Sequence, residues 1–400
     1  MNMRMIKRVK RAKAEGRLYS SVAQRLNPWR FLRPALSYYV PYERNSLWRL
    51  GNLKRGIAGH VLESSASKEQ ITRIIDSYKL MKEAQKLASK VYLPSEHWQI
   101  YITNFFRDIE SAIRNNEHKL IAGFLMNFLR NRSYGISLES SMRFRFQTQK
   151  LAYIAALKEM YSFWKFCNPE SSIEKLAMPL VGNPRGYYIN GHFVNTASFF
   201  NGSRVFGLTP LLSGVQRPVV AEIGGGYGPT AYFFLNSIEN MTYMDFDLPE
   251  TLIFIFYSLS SVFPKKKFLL YGEREFDEAC AGLYDIILMP NFEIEKLTEN
   301  SVDLFINEAS FGEMNKSTVE NYISHISRCC RGYFSHLNHE YFADTHSDDP
   351  GLKAKDYPVR EEDFILVYRA PDMAHFLFQR AIFGRPDMGE EFSYLYQKRK

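Results

Sequence analysis

Residues Val219 to Thr230 read Val-Val-Ala-Glu-Ile-Gly-Gly-Gly-Tyr-Gly-Pro-Thr, and this stretch decides the fold of the chain. A short β-branched run precedes four glycines, at Gly224, Gly225, Gly226 and Gly228. Pro229 then opens a segment of helical composition, so the pattern predicts a buried strand, a tight loop and a helix N-terminus. Glycines tolerate positive φ and bring a ligand close to backbone amides, while a helix N-terminus favours negative charge. The stretch is typical of a nucleotide-binding turn.

The spacing of these glycines separates the common nucleotide-binding loops. The dinucleotide fingerprint Gly-x-Gly-x-x-Gly fails, because its last position falls on Pro229 when counted from Gly224 and on Ala231 when counted from Gly226. A P-loop ends in Gly-Lys-Ser/Thr, and no lysine lies between residues 219 and 260. What remains is acid-x-Gly-x-Gly-x-Gly led by Glu222, which resembles the first motif of class I S-adenosylmethionine-dependent methyltransferases.

A second signal follows at the next buried strand, predicted over Met241–Phe246. Asp247-Leu-Pro-Glu250 comes directly after it and opens a predicted helix. An acid at the carboxyl edge of this strand can bind both hydroxyls of a ribose, and Asp245 is the alternative acid. Asp-x-x-Glu is also a helix-capping signature, so a purely structural role for Asp247 as N-cap stays open.

A third signal lies in Ser301–Met314, where Leu304–Ile306 is predicted to be a buried strand. Polar residues follow it at Asn307, Glu308, Ser310 and Glu313. In open α/β sheets ligands bind at the carboxyl ends of the strands. We therefore expect these side chains at the same cleft as the glycine loop.

Three motifs together, Glu-Ile-Gly-Gly-Gly-Tyr-Gly, Asp-Leu-Pro-Glu-Thr and Asn-x-x-Ser-Phe-x-Glu-Met, resemble the bacterial sugar O-methyltransferases. The tripeptides Gly182–Pro184 and Tyr134–Ile136 are similar as well, so the resemblance extends from about Trp98 to the C-terminus. It implies a Rossmann-like class I methyltransferase sheet flanked by helices, with S-adenosylmethionine as cofactor. The implied acceptor is a hydroxyl of a nucleotide-linked, lipid-linked or glycan-bound sugar, in the synthesis of a surface polysaccharide or a glycosylated metabolite. Methylation of a non-sugar small molecule and a catalytically silent cofactor-binding scaffold are the alternatives.

Site residues are predicted on this basis. The cofactor contacts are Glu222, Gly224, Gly225, Gly226, Gly228, Asp247, Asn291 and Asn307. Methyl transfer needs a hydroxyl oxygen held about 3 Å from the methyl carbon and a base for its proton. The candidate bases by predicted position are Glu313, Glu308, His339 and His336. Glu313 belongs to the third motif and can alternatively cap the helix that begins near Met314.

The chain divides into three predicted regions: a basic arm over residues 1–56, a mostly helical region over 57–170, and the Rossmann-like domain over 171–400. A capping box, Ser67-Lys-Glu-Gln70, opens the first strong helical pattern. Further helical patterns cover Trp98–Ile109, Leu120–Leu129 and Leu151–Trp164. The helical region either covers the acceptor cleft or forms a dimer face, which leaves a homo-oligomer open. The tail Gln397–Lys400 is expected to be solvated.

Positive charge is concentrated at the N-terminus. Residues 1–55 carry 14 Lys or Arg against Glu15 and Glu43, a local net charge of +12 that leaves −4 on the remaining chain. Such an arm is typical either of a solvated segment or of contact with an anionic membrane surface. Nucleic acid is disfavoured as a partner, because no basic module with interleaved stacking aromatics accompanies the arm.

The cysteine spacing and the lengths of the apolar runs further narrow the class of protein and its compartment. Cys167, Cys280, Cys329 and Cys330 form no Cys-x-x-Cys pair, which favours a reducing compartment without a zinc site. No apolar run reaches the roughly 18 to 20 residues of a membrane-spanning helix, and no signal-peptide pattern follows the basic start. We expect a cytoplasmic protein, peripheral at the inner membrane if the arm binds lipid, and no metal. A metal alternative rests on Asp344, His346, Asp348 and Asp349, which a polar loop explains equally.

Overall fold

The computed structural model describes residues 47–60, 66–130, 137–142, 144–340, 350–383 and 390–399. Several sequence-based predictions concern other residues: most of the basic arm, the Tyr134–Ile136 tripeptide and the polar residues between Asp344 and Asp349. These lie outside the described residues and stay predictions. The fold described below is that of the remaining chain.

The strands of the described chain form a small hairpin and one large sheet. They are β1 (Tyr187–Ile189), β2 (His192–Val194), β3 (Val219–Ile223), β4 (Thr242–Asp247), β5 (Phe268–Leu270), β6 (Ile286–Pro290), β7 (Val302–Glu308), β8 (Cys330–His339), β9 (Phe364–Pro371) and β10 (Glu391–Lys398). The α-helices are α1 (Leu50–Ala58), α2 (Lys68–Gln85), α3 (Glu96–Phe105), α4 (Arg107–Arg114), α5 (His118–Met126), α6 (Leu138–Ser141), α7 (Gln147–Cys167), α8 (Ser203–Leu208), α9 (Pro229–Ser237), α10 (Pro249–Val262), α11 (Cys280–Leu283), α12 (Lys316–Cys329) and α13 (Met373–Phe383).

The large sheet has eight strands in the order β5-β6-β4-β3-β7-β8-β10-β9. All pairings from β5 to β8 are parallel, and β10 runs antiparallel to both β8 and β9. The chain leaves β3 toward β4 on one side and later returns to β7 on the other side. The gap between β3 and β7 is therefore the topological switch point, where open α/β sheets bind ligands. The predicted Rossmann-like α/β fold is confirmed.

Residues of β3 alternate between two cores, as a strand buried on both faces must. Val220 belongs to one apolar cluster, together with α10 and the N-terminal helices. Val219, Ala221 and Ile223 belong to another, together with α12. Helices on both faces of the parallel strands explain why β3, β4, β6 and β7 are buried along nearly their whole length.

The helical region packs directly on the sheet domain. The predicted capping box of Ser67 and Gln70 is present at the start of α2, with Ile71, Ile74 and Ile75 buried. Gln70 also donates from Nε2 to Ser260 Oγ of α10 at 2.8 Å. The helical pattern over Trp98–Ile109 is split into α3 and α4 at Phe106, which is fully buried. Helix α1 crosses the predicted boundary between residues 56 and 57.

The C-terminal end differs in part from the expectation. Gln397 and Lys398 of the predicted tail belong to β10, and the prediction of a solvated tail is confirmed for Gln397 and Arg399, which are exposed, whereas Lys398 is half-buried. Gln397 pairs with Tyr333 of β8, and Lys398 donates from Nζ to the carbonyl oxygen of Ser327 at 2.6 Å. This strand is not predicted from the sequence. Its pairing partners, β8 and β9, lie tens of residues earlier in the chain.

Candidate functional site

A cleft of about 600 Å³, counting its open mouth, lies over the carboxyl ends of β3, β4 and β7. Its wall combines the glycine loop with the ends of the neighbouring strands and with residues of the helical region. The lining residues used below are Ser95, Trp98, Gly224, Gly226, Asp247, Asn291, Ser310, Met314 and Tyr322.

The glycine loop follows β3 as the sequence predicts, and Pro229 is the first residue of α9. Gly224, Gly226 and Gly228 have φ of +80°, +66° and +83°, a region that favours glycine. A Cβ on Gly226 would meet no atom within 4 Å, so this residue borders open space. A Cβ on Gly224 would lie 2.5 Å from Ser310 Oγ, so the loop and the β7 end approach too closely for any side chain.

Gly225 has a different reason to be glycine. A Cβ there would lie 2.8 Å from Glu222 Oε2 and closer still to the carboxylate of Asp245. Both acids are buried beneath the loop. Burial, followed by the charge of Glu308, raises the pKa of Glu222 to about 8, although the Tyr243 hydroxyl donates to Oε2 at 2.6 Å. Burial and the charge of Glu222 raise the pKa of Asp245 well above its ordinary value.

Asp247, predicted to bind ribose, ends β4 and lines the cleft. Its Oδ2 accepts from the Gly226 amide at 3.1 Å and its Oδ1 from the Leu248 amide at 2.6 Å. Burial raises its pKa to about 6 against these hydrogen bonds. The N-cap of α10 is Leu248, so the alternative of Asp247 as helix N-cap is wrong. Each carboxylate oxygen keeps a further lone pair that can accept from a hydroxyl in the cleft.

Asn291 begins a 3₁₀ turn after β6 and also lines the cleft. Its Nδ2 donates to the carbonyl oxygen of Tyr92 at 2.8 Å and to the Tyr322 hydroxyl at 3.1 Å. A carbonyl can only accept, so these contacts fix the orientation of the amide. Oδ1 is buried and makes no hydrogen bond within the described residues. A buried acceptor of this kind can accept from a ligand or from an ordered water.

Asn307, predicted as a cofactor contact, is fully buried under the β7 loop. Its Nδ2 donates to the Ile223 carbonyl oxygen at 2.9 Å and to Ser310 Oγ at 2.5 Å. Its Oδ1 accepts from Asn338 Nδ2 at 2.8 Å. These contacts tie the end of β7 to the end of β3, so Asn307 positions the walls of the cleft.

Glu313 lies in the 3₁₀ turn Phe311–Glu313, beside the mouth of the cleft. Its Oε2 accepts from Trp98 Nε1 at 3.1 Å, and its backbone carbonyl accepts from Ser95 Oγ at 3.0 Å. Both partners line the cleft. Trp98 lies more than 200 residues away along the chain, so no local pattern could have indicated this contact.

The other candidate bases are held by partners on neighbouring segments or are enclosed. Glu308 accepts from Asn201 Nδ2 at 2.6 Å and forms a buried ion pair with Arg204 at 3.2 Å. His339 Nδ1 lies 3.8 Å from Glu391 Oε1. His336 is fully buried among aromatic rings, and burial lowers its pKa well below the ordinary value. An enclosed neutral imidazole at this position packs as an aromatic ring.

In the part of the chain that the structure describes, no group of three or more His, Cys, Asp or Glu side chains is placed to hold a metal ion. None of the helices in that part of the chain is long and apolar enough to span a membrane.

The sheet order, the glycine loop and the acid that ends β4 define a Rossmann-like α/β protein with its cleft at the switch point. No protein-family model matches the chain, and no curated protein sequence matches it. Three solved structures are similar in part. A proposed type 11 methyltransferase from Sulfolobus solfataricus is 16% identical over 48% of this chain and 90% of that one, with a TM-score of 0.29.

A proposed sarcosine dimethylglycine methyltransferase from Galdieria sulphuraria is 13% identical over 60% of this chain and 97% of that one, with a TM-score of 0.37. The mitomycin 7-O-methyltransferase is 9% identical over 62% of this chain and 70% of that one, with a TM-score of 0.32. Identities and scores this low say nothing of the reaction that this chain catalyses.

Proposed function

We propose that the chain is an S-adenosylmethionine-dependent O-methyltransferase whose acceptor is a sugar hydroxyl. One observation carries the cofactor assignment. Gly226, Asp247 and Asn291 line one cleft: a Cβ on Gly226 would meet no atom within 4 Å, and Asn291 Oδ1 makes no hydrogen bond within the described residues. These groups suit an adenosine that carries a charged, amino-acid-like substituent.

Each group has a separate role in holding the cofactor. Asn291 Oδ1 would accept from the exocyclic amine of adenine, and the oxygens of Asp247 would accept from the ribose hydroxyls. The amides of the glycine loop and the start of α9 would face the amino-acid end, since a helix N-terminus favours a carboxylate. Bound S-adenosylmethionine supplies an electrophilic methyl group on a sulfonium. The chain's task is to hold a hydroxyl in line with that methyl and to accept its proton.

The sugar assignment rests on the three resembling motifs and on the mouth of the cleft. Trp98 and Glu313 stand there together, one a flat apolar ring and the other a hydrogen-bonding carboxylate. Tyr101 and Phe105 continue the aromatic row along α3, with ring centroids 5.2 Å and 4.6 Å apart from one neighbour to the next. Sugars present an apolar C–H face and a polar hydroxyl rim, so a mixed surface of this kind suits them.

Calorimetric titration with S-adenosylhomocysteine tests the cofactor assignment. We expect micromolar binding by the wild type, no binding of NADH, and loss of binding in Gly226→Val, whose side chain enters the cleft. Gly282→Val is the matched control, because Gly282 is exposed and a Cβ there meets no atom within 4 Å. A folded wild type that does not bind S-adenosylhomocysteine would refute the proposal.

Transfer of a labelled methyl group then tests the acceptor class. The panel would contain nucleotide sugars, methyl hexosides and a glycan extract on one side, and phenols and carboxylic acids on the other. We expect label on a sugar hydroxyl. Label only on a non-sugar acceptor would keep the methyltransferase and replace its substrate, whereas cofactor binding without any transfer would indicate a silent scaffold.

A further inference from the structure

A second group of polar side chains lies at the carboxyl end of β7, on the other side of the glycine loop from Asp247. They are buried or half-buried, each is charged or carries an amide, and they come from three separate segments. The members are Asn201, Arg204, Glu308, Asp372 and His375. We call this group the β7 polar cluster. The sequence patterns indicate only Glu308 among its members.

Glu308 stands at the centre of the β7 polar cluster. Its two oxygens are engaged by Asn201 Nδ2 at 2.6 Å and Arg204 Nε at 3.2 Å. Burial raises the pKa of Glu308, whereas the charge of Arg204 lowers it. Arg204 also donates to Ser335 Oγ at 2.9 Å, while its Nη1 is buried without a hydrogen-bond partner in the described chain. An unsatisfied guanidinium N–H in such a place can donate to a hydroxyl or carboxylate of a ligand.

Asp372 and His375 form a hydrogen-bonded pair at the start of α13. The Nδ1 atom of His375 lies 2.8 Å from Asp372 Oδ1. The ring stacks on Phe200, with centroids 3.8 Å apart and planes at 18°. Nε2 has no hydrogen-bond partner within the described residues, and 19% of the side chain is exposed. A carboxylate on Nδ1 and an Nε2 atom without a protein partner are the arrangement of a histidine general base.

The fold places this pair toward the expected methyl end of the cofactor. In the proposed complex, Asp247 and Asn291 would hold ribose and adenine over β4 and β6, on one side of β3. The remaining part of the cofactor must then extend toward β7, on the other side. Asn201 joins the β7 polar cluster to this region, because Nδ2 also contacts Thr230 Oγ1 in the first turn of α9 at 3.1 Å. Glu308 stands two residues before Ser310, which lines the cleft.

We propose that the β7 polar cluster is the acceptor subsite, with His375 as the general base and Asp372 as the residue that orients it. Arg204, Asn201 and Glu308 hold the neighbouring hydroxyls of the sugar. This assignment rests on the proposed function. It moves the proton-accepting role from Glu313, which then belongs to the mouth of the cleft.

The proton balance of this step is closed. As the acceptor oxygen bonds to the methyl carbon, the carbon–sulfur bond breaks and its electron pair stays on sulfur. The acceptor's proton passes to Nε2 of His375 and then to solvent, and Asp372 stabilises the imidazolium while it exists. No oxidant, reductant or metal is needed.

A structural role for the same pair must be separated from this one. Asp372 Oδ1 also accepts from the His375 backbone amide at 2.9 Å, as a helix N-cap does. Asp372→Asn keeps a side-chain oxygen for this cap and removes the charge that stabilises a protonated His375. We therefore expect unchanged stability and a loss of rate in Asp372→Asn, a combination that loss of the cap would not give.

Proton titration of His375 by NMR, on the protein without cofactor, is the first test. Burial opposes the charged ring, but the charges of Asp372, Glu391 and Glu308 outweigh it, so the pKa of His375 is raised. Arg204 is the cation near this group. We expect titration above pH 6.5 in the wild type and at a lower pH in Asp372→Asn. Equal titration midpoints in the two proteins would overturn the Asp372–His375 pair.

Rates supply the second test, with the sugar panel as acceptor. A general base contributes about 10²- to 10⁴-fold, so His375→Gln should lose this much kcat while its affinity for S-adenosylhomocysteine stays within about twofold. His192→Gln, on the small hairpin, is the matched control and should match the wild type. Glu308→Gln should raise KM for the sugar more than it lowers kcat. A His375→Gln enzyme within about threefold of wild-type kcat would overturn the assignment.

The outcomes separate this inference from the proposed function. Failure of the wild type to bind S-adenosylhomocysteine refutes the methyltransferase itself. Cofactor binding together with a rate loss in Glu313→Gln and none in His375→Gln refutes only the base. If the panel is not methylated, NMR with methyl hexosides and S-adenosylhomocysteine decides, since an unperturbed His375 ring signal overturns the acceptor subsite.

Discussion

Alanine substitutions at two adjacent glycines should have opposite consequences, although both change one hydrogen to a methyl group. Gly226 borders the cleft, and a Cβ there meets no protein atom within 4 Å. Gly225 lies on the buried carboxylates of Glu222 and Asp245. We expect Gly226→Ala to lose cofactor binding with a small cost in stability, and Gly225→Ala to lose stability.

The magnitudes follow from the geometry. Gly226 has φ of +66°, and placing alanine in this left-handed region costs roughly 1–2 kcal/mol. Gly225 does not have positive φ, so its cost comes from overlap alone. A new Cβ 2.8 Å from Glu222 Oε2, and closer to Asp245, is overpacking against groups that cannot move into solvent, which costs about 1–3 kcal/mol or more. We expect about 3 kcal/mol for Gly225→Ala.

Urea denaturation and calorimetric titration with S-adenosylhomocysteine measure the two effects on the same preparations. Gly282→Ala is the control, because this glycine is exposed in helix α11 and alanine there should slightly stabilise the protein. Gly226→Ala with wild-type affinity would refute the cleft as the cofactor site. Gly225→Ala with wild-type stability would refute the packing of the two carboxylates beneath the loop.

Four further predictions concern the same site and the N-terminus. Affinity of the wild type for S-adenosylhomocysteine should fall as the pH drops through about 6, where Asp247 becomes protonated, and Asp247→Asn should bind weakly without this pH step in calorimetry. The wild type should bind S-adenosylhomocysteine more tightly than its inosine analogue, because the analogue has no exocyclic amine to donate to Asn291 Oδ1. Asn291→Leu should lose this preference, and an unchanged preference would contradict the adenine contact. Burial raises the pKa of Glu222 to about 8, so the folded state binds its proton more tightly than the unfolded chain does, and stability should fall as the pH rises toward this value. Glu222→Gln should flatten this dependence in urea titrations at several pH values. Deletion of residues 1–20 should reduce co-sedimentation with anionic liposomes at low salt, and unchanged sedimentation would rule out the membrane role of the basic arm.

A structural feature could be predicted from the sequence wherever a few neighbouring residues determine it. The glycine spacing after β3 demands left-handed backbone, and the capping box at Ser67 satisfies its own helix end, so both were correctly predicted from a few neighbouring residues. Asp247 was placed correctly at the end of β4 because a buried strand followed by an acid and a proline indicates its own boundary. The break at Phe106 was missed, since the apolar spacing continues through it.

Contacts between distant segments could not be predicted in this way. The free oxygen of Asn291 exists because the Tyr92 carbonyl, 199 residues earlier, fixes the other end of its amide. Trp98 meets Glu313 only after the helical region and the sheet have packed, and Glu308 meets Arg204 only after α8 has packed against β7. Asp372 and His375 are three residues apart, which is also the spacing of an ordinary helix N-cap, so the sequence does not distinguish a functional pair from a cap. Their position near Glu308 of β7 makes that distinction.

The sequence by itself determined the Rossmann-like fold and the edge of the sheet where ligands bind, because backbone conformation and apolar periodicity are properties of short segments. The tertiary structure alone decided which side chains face the cleft. It turned Asn307 into a support for the strand ends, engaged Glu308 in an ion pair and brought His375 to the β7 polar cluster. The physical reason is that burial and hydrogen-bond partners are set by segments that meet only when the chain has folded.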